Sequence, residues 1–342
     1  MKLKTKDDVY LLMYSAAPCA ALGTAIETGL LWQLAARPMS AVEVAQALNI
    51  PGKRCHYWLQ VLDELGILEN GPGGYAPSAL AREAILEPHN QISRQHLTLD
   101  ERERTVGLHN LPLYISEPGS IWAAQGLDEP IHYVEKMRAN PERAREFTRM
   151  LFEIHQQLAQ EVVERINMTG VERMMDLGGG SGVVSMALLR KYPAITATVV
   201  DIENVCVAGR EIAKEEGLSD RISYYPANFT NDEFPAGYDL VLQCDVSVFG
   251  VPLFQKVWHS LKPEGRLVFV GHLSPSENCA PPGREEWIFI DSLRDPDFSI
   301  PTPAQLREQW IHAGFDVSAE YHTFGRGWII LQARKGRASF SL

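Results

Sequence analysis

The stretch Met175-Asp176-Leu177-Gly178-Gly179-Gly180-Ser181-Gly182 decides how the second half of this chain is read. Arg173–Leu177 has the apolar content of a strand, and Gly182–Tyr192 has the spacing of an amphipathic helix. Some twenty residues past the loop, Ala197-Thr198-Val199-Val200 ends in Asp201. Strand, glycine turn, helix, strand and acid make a nucleoside-binding βαβ unit.

The loop chemistry narrows the nucleoside. Gly178 lets the chain turn sharply, and Gly180 lets a ligand approach bare backbone. A dinucleotide fingerprint needs Gly or Ala where this chain has Val183. The Walker Lys and Ser/Thr are absent, and no cation opens the following helix to hold phosphate. Asp176 repels a pyrophosphate and suits an ammonium group. Asp201 suits ribose hydroxyls. Asn228 and Phe229, after the next strand, offer an amide and a ring for adenine, and Gln243 ends the strand beyond them. A nucleoside with an ammonium and no phosphate is S-adenosylmethionine, giving S-adenosylhomocysteine as product.

Outward from the loop, helical and strand periods alternate to the end of the chain. Strands are expected at Ile222–Pro226, Tyr238–Gln243 and Arg266–Gly271, with helices at Val205–Glu216, Pro252–Leu261 and Pro303–Ala313. Asp316–Tyr321 and Trp328–Ala333 read as a closing antiparallel pair. The fold class is α/β: a Rossmann-like, mainly parallel sheet over residues 166–342. Residues 106–165 read as a helical linker with substrate-pocket helices, including one long helix over Glu142–Ile166.

Residues 1–105 have another pattern. Apolar and small residues at helical spacing over residues 9–36 are interrupted by Pro18 and Gly23. Ser40 caps a short helix over Ala41–Leu48, and Lys53–Leu65 forms a second. A hairpin follows around Asn70-Gly71-Pro72-Gly73-Gly74. Two helices and a hairpin form a winged-helix pattern. A DNA reader needs a basic footprint there, and acids outnumber bases over these residues. A dimerisation module is the expected role.

Bulk properties agree. A net charge of −11 disfavours nucleic acid and anionic membranes as partners. No apolar run reaches membrane-spanning length, and no signal-peptide core follows the basic N-terminus. Five scattered cysteines fit reduced thiols of a cytoplasmic protein. No His/Asp/Glu cluster has metal-ligand spacing.

Over nearly its full length the chain resembles the class I methyltransferases of the plant caffeate and bacterial small-molecule O-methyltransferase type. Asp176–Gly182 is similar to that family's cofactor loop. Asp201-Ile202-Glu203 resembles its Asp-Leu-Pro, and Ala227-Asn228-Phe229 resembles its Gly-Asp-Met/Phe. Lys262-Pro263-Glu264-Gly265-Arg266-Leu267 resembles its Pro-Gly-Gly-Arg-Leu turn. The resemblance implies a winged-helix N-terminal domain that interlocks into a homodimer, and a small-molecule acceptor.

One part of the pattern is missing. The family's His-Asp-Trp, whose His deprotonates the acceptor hydroxyl, appears nowhere; Ser247 stands at the His position and Phe249 at the Trp position. No catalytic base is therefore assigned. A thioether needs none, because its lone pair carries no proton. One member type of the family, the S-methyltransferases acting on 4-methylthio-2-hydroxybutyrate in dimethylsulfoniopropionate synthesis, has a similar N-terminal stretch and Cys244-Asp245-Val246-Ser247 segment. Such an acid needs cations or a His, for which Arg149, His155 and Arg294 are candidates. A sulfonium product favours aromatic walls, for which Trp122, Tyr133, Phe147, Trp287 and Phe289 are candidates. The alternatives are an O-methyltransferase with His155, His272 or Asp291 as base, and a protein that binds S-adenosylmethionine without transferring its methyl group.

Overall fold

The computed structural model describes residues 2–87, 90–105, 108, 111–116, 133–229, 231–295, 298–317 and 321–336. They form two compact units, Met1–Arg104 and Thr105–Leu342. The described residues of 106–165 thus belong to the second unit.

In the first unit, helices Lys6–Met13, Ala16–Glu27 and Leu30–Ala36 precede helices Ala41–Ala47 and Gly52–Glu64. Strands β1 (Leu68–Gly71) and β2 (Gly74–Pro77) then form an antiparallel hairpin. Pro18 does not break the first long stretch as expected. It lies in the first turn of Ala16–Glu27, where no intrahelical partner for its missing N–H is lost. The breaks fall instead at Tyr14-Ser15 and at Thr28-Gly29, where Gly29 takes φ 72°. Ser40 and Glu43 form a reciprocal capping box at the start of Ala41–Ala47. Leu30, Leu31, Leu34, Leu59 and Leu62 make the core of this unit.

In the second unit eight strands form one sheet: β3 (Arg173–Leu177), β4 (Thr196–Asp201), β5 (Ile222–Pro226), β6 (Tyr238–Cys244), β7 (Leu261–Gly271), β8 (Phe315–Val317), β9 (His322–Phe324) and β10 (Trp328–Lys335). The order is β5-β4-β3-β6-β7-β10-β8, with β9 also paired to β10. The first five run parallel, and β10 is antiparallel to β7, β8 and β9. Each central strand is apolar on both faces, as a doubly covered sheet requires. Met174, Val199, Leu242 and Val268 pack under the helix Val183–Lys191. Met175, Val200, Val241 and Phe269 face Leu253, Phe254 and Trp310 on the other side.

The strand order reverses at β3. Its C-terminal end, beside that of β6, is the switch point where open α/β sheets bind ligands. The glycine loop leaves β3 there.

The expected long helix over Glu142–Ile166 is two helices, Pro141–Ile154 and Gln156–Val163, broken at His155. His155 takes φ −93° and ψ 5°, outside the helical range, so the apolar stripe continues while the axis does not.

Candidate functional site

The loop after β3 is built from backbone that only glycine adopts without strain. Gly178, Gly180 and Gly182 have φ of 70°, 57° and 79°. A Cβ on Gly178 would stand 2.5 Å from Val246 Cγ2, and one on Gly182 2.8 Å from Ile222 Cδ1. A Cβ on Gly180 would meet nothing within 4 Å. Gly180 is therefore free of crowding inside the protein and leaves its backbone open to a ligand.

Three side chains hold the loop. Asp201, at the end of β4, accepts the Gly180 N–H on Oδ2 at 3.0 Å and the Ile202 N–H on Oδ1 at 2.8 Å. Burial pushes its carboxyl up to about 6, against those two donors. Tyr224 donates its phenol to the Ser181 carbonyl at 2.7 Å. Asp176 turns beneath the loop: Ser185 Oγ donates to Oδ2 at 2.6 Å, and a Cβ on Gly179 would fall 2.4 Å from its Cγ. Burial raises the Asp176 carboxyl to about 6 as well. Its Oδ1 is buried with no donor.

Each expected cofactor residue lies on this end of the sheet. The Phe229 ring comes within 3.3 Å of a Cβ placed on Gly178, and meets Phe234 edge to face. Asn228 donates its N–H to Asp232 at 2.7 Å, which fixes the turn after β5. Gln243 points the other way through the sheet from Asp176. Its amide donates to the carbonyls of Val246 and Val248 and so shapes the loop after β6, while Oε1 stays buried without a donor. Acceptors without donors, an open Gly180 backbone and an acid at the end of β4 fit a ligand rich in N–H and O–H groups, as the nucleoside amino acid expected here is.

The acceptor-side candidates divide. Trp122 lies outside the described residues, as does the side chain of Arg294 at the end of the helix Glu285–Arg294. Arg149 does not face a pocket. It clamps Glu215 at 2.6 Å and Glu211 at 3.6 Å on the helix Glu203–Glu215, and so ties two helices together. Tyr133 and Phe147 face each other at 5.8 Å, and Phe147 packs with Ile202 and Val205 just past β4. They stand at the end of β4, with Tyr133 in electrostatic reach of Asp201. Trp287 meets Phe298 edge to face, Phe289 on the same helix is exposed, and Ser247 is exposed.

His155 is the exception. The helix break directs its Nε2 to within 3.4 Å of Asp245 Oδ2. Asp245 follows β6 directly and holds φ 55°, a strained conformation for a residue with a side chain. Partial burial pushes its carboxyl up, but His155, Arg284 and His272 outweigh that and hold it below its ordinary value. His272 follows β7 directly. Its Nε2 lies 2.8 Å from Arg284 Nη2, so the imidazole accepts and stays neutral. Burial and Arg284 together lower the His272 pKa. Trp328 covers both groups, 4.2 Å from the His272 ring and 5.5 Å from the Arg284 guanidinium. Asp245, Arg284 and Trp328 were not legible as site residues, because nothing local in the sequence marks them. Among the described residues no group of three or more His, Cys, Asp or Glu side chains is arranged to hold a metal ion.

Comparison with known proteins agrees with this geometry. Residues 124–290 match the O-methyltransferase domain family. The chain is similar to a 3-hydroxy-5-methyl-1-naphthoate 3-O-methyltransferase of Streptomyces sahachiroi, 30% identical over 65% of this chain and 62% of that protein. It is also similar to an L-tyrosine C(3)-methyltransferase of Streptomyces lavendulae, 30% identical over 56% of this chain and 54% of that one. These two matches thus span less than two thirds of the relatives' lengths. Among solved structures, PigF with SAH superposes with a TM-score of 0.83 at 20% identity, over 97% of this chain and 100% of that chain.

Proposed function

We propose that this chain is a class I S-adenosylmethionine-dependent methyltransferase of the O-methyltransferase type and transfers the methyl group of S-adenosylmethionine to an oxygen of a small-molecule acceptor; the match of residues 124–290 to the O-methyltransferase domain supports this. The observation that carries this is the loop: Asp201 at the end of β4 fastened to Gly180, whose own approach side is open. The bound sulfonium supplies an electrophilic methyl carbon. Asp201 would accept the ribose hydroxyls, the Gly178–Gly180 backbone would hold the amino acid portion, and Phe229 and Asn228 would hold the adenine. Asp176 braces the loop from below and Gln243 shapes the loop after β6 from the other face of the sheet, each with one oxygen that has no donor. The test is calorimetry of S-adenosylhomocysteine binding, followed by transfer of labelled methyl from S-adenosylmethionine to a panel of hydroxylated aromatic and aliphatic acceptors. Failure to bind S-adenosylhomocysteine at millimolar concentration would sink the assignment.

A second acceptor is favoured by Ser247, which leaves the position of a base without a proton acceptor. It is a thioether acid such as 4-methylthio-2-hydroxybutyrate, methylated on sulfur. The product separates the two: a sulfonium from the thioether, a neutral ether from the hydroxyl. The protein acts as a homodimer through its N-terminal unit. In support, the helix Lys6–Met13 buries none of its residues, although Leu11 and Met13 are 71% and 67% exposed. A cytoplasmic location is in keeping with five cysteines that form no disulfide.

A further inference from the structure

We propose that His155, held by Asp245, takes the proton from the acceptor's hydroxyl, and that Arg284 binds an anionic group on the same molecule, so that the acceptor is a small hydroxy acid. This rests on the methyltransferase assignment and names the acceptor class for that site.

Placement is the first support. Asp245 and His272 are the residues immediately past the paired strands β6 and β7, and the Asp245 N–H bonds to the Val270 carbonyl at 2.8 Å. Val246, next to Asp245, reaches so close to the cofactor loop that a Cβ on Gly178 would touch it. The cluster therefore stands one residue from the loop that holds the methyl donor.

Chemistry is the second. The Asp245 carboxylate faces His155 Nε2, which fixes the proton on Nε2 and leaves Nδ1 as the acceptor, the logic of an acid orienting a base. His155 and Asp245 keep 23% and 37% of their side-chain surface, so a ligand reaches them. His272 is not the base, because its Nε2 lone pair already accepts from Arg284. Its role is to position that guanidinium. Arg284 makes no ion pair with a carboxylate among the described residues, and Trp328 forms a flat wall beside it. An arginine fixed by a neutral acceptor and an aromatic face keeps donors for an incoming carboxylate. His155 faces Asp245 from the end of β6, and the charged and titratable groups acting on Asp245 besides it are His272 from the end of β7 and Arg284 from the loop before Glu285–Arg294. In the transfer, the acceptor's O–H bond breaks and its proton passes to His155 Nδ1. The freed oxygen pair forms the bond to the methyl carbon, and the carbon–sulfur bond breaks with its electrons left on sulfur.

The test uses the full chain, S-adenosylmethionine, and hydroxybenzoates, hydroxynaphthoates and 2-hydroxy acids beside their methyl esters. His155→Gln and His155→Ala should lower kcat by about 10² to 10⁴, the range for loss of a general base, with S-adenosylhomocysteine affinity within about threefold. Any dependence of native kcat on a single ionisation of the base should vanish in both. Asp245→Asn should lower kcat about tenfold or more, because the imidazole loses the carboxylate that orients it. Arg284→Met should raise KM for the acid about tenfold or more and leave that of the ester within about threefold. A His155→Gln protein with native kcat and an unchanged pH profile overturns the base. Transfer to thioether sulfur alone, or to no hydroxy acid while S-adenosylhomocysteine still binds, overturns the acceptor class and leaves the methyltransferase assignment standing. Absence of S-adenosylhomocysteine binding removes both.

Discussion

Asp201 Oδ2 lies 3.0 Å from the Gly180 amide nitrogen, 21 residues away in sequence, and this bond joins the glycine loop to the end of the neighbouring strand. One carboxylate thus sets the loop's conformation and keeps lone pairs for a ligand. Removing it takes away both. Asp201→Ala should weaken S-adenosylhomocysteine binding by about tenfold to a hundredfold, as expected for a charged hydrogen-bonding group worth about 1.5–3 kcal/mol. Calorimetry reads this directly, and unchanged affinity would remove Asp201 from the site.

The same carboxylate predicts a pH dependence. Burial raises its pKa to about 6, so the free protein takes up a proton there as pH falls through about 6. Ribose hydroxyls donate best to the ionised form. Affinity for S-adenosylhomocysteine should therefore be flat above about pH 7 and fall below about pH 6, with the fall absent in Asp201→Asn. The stability sign is the opposite of a salt-bridged acid. A carboxyl whose folded pKa is raised binds its proton more tightly in the folded state, so stability falls as pH rises through the interval from about 4 to about 6. Asp176 adds to the same trend.

Two glycines two positions apart should behave differently. Gly178→Ala drives a Cβ to 2.5 Å from Val246 Cγ2 at φ 70°, so it damages the fold as well as the site. Gly180→Ala meets no protein atom and costs only the left-handed strain of about 1–2 kcal/mol. Its methyl group would occupy the ligand's approach side. Thermal unfolding should show a clear loss for Gly178→Ala and a small one for Gly180→Ala, while both lose S-adenosylhomocysteine binding. Native affinity in Gly180→Ala would show that the ligand does not approach this backbone.

These contrasts also show what was legible in the sequence. The loop, its helix and Asp201 form one βαβ unit, whose period changes and glycine spacing are local, so a linear reading finds them. The proposed acceptor cluster is made of His155, Asp245, His272, Arg284 and Trp328, which the fold brings together from five separate segments. No short-range spacing marks such a set. Arg149 shows the converse. It sits on the expected helix, but its partners Glu211 and Glu215 are more than sixty residues away. Their charges decide which way it faces, and no periodicity reveals that. His155 was visible as a residue and not as a break, because neither Pro nor Gly accompanies the break there.

Arg149→Ala should accordingly leave kcat/KM within about twofold of native and lower stability by no more than about 1 kcal/mol, the scale of a partly exposed ion pair. Urea unfolding and steady-state kinetics together check this. A large rise in acceptor KM would return Arg149 to the substrate site.

Ser185→Ala tests the brace under the loop. Ser185 and Asp176 are both fully buried, and the Ser185 hydroxyl donates to Asp176 Oδ2 at 2.6 Å. Without it a buried carboxylate would lose its hydroxyl donor while Oδ1 already has none, at a cost of about 1–3 kcal/mol. Its pKa should climb further, since the Ser185 hydroxyl now opposes the effect of burial. Urea unfolding should show that loss at pH 7 and a smaller one at pH 5, where the carboxyl is protonated. Equal losses at both values would mean the bond matters for packing and not for charge.

The N-terminal helix carries the last prediction. Val9, Tyr10, Leu11, Leu12, Met13 and Tyr14 are all exposed within its own unit, and exposed apolar runs of this kind mark a surface that another molecule covers. A second copy of the chain is the proposed occupant. Leu11→Glu with Met13→Glu places two like charges in a C2 interface on each side, four in all, at a position that needs no charge for folding. Light scattering at micromolar concentration should give a dimer for the native chain and a monomer for the double variant, with the variant's thermal transition still cooperative. A native chain that runs as a monomer at that concentration would overturn the dimer.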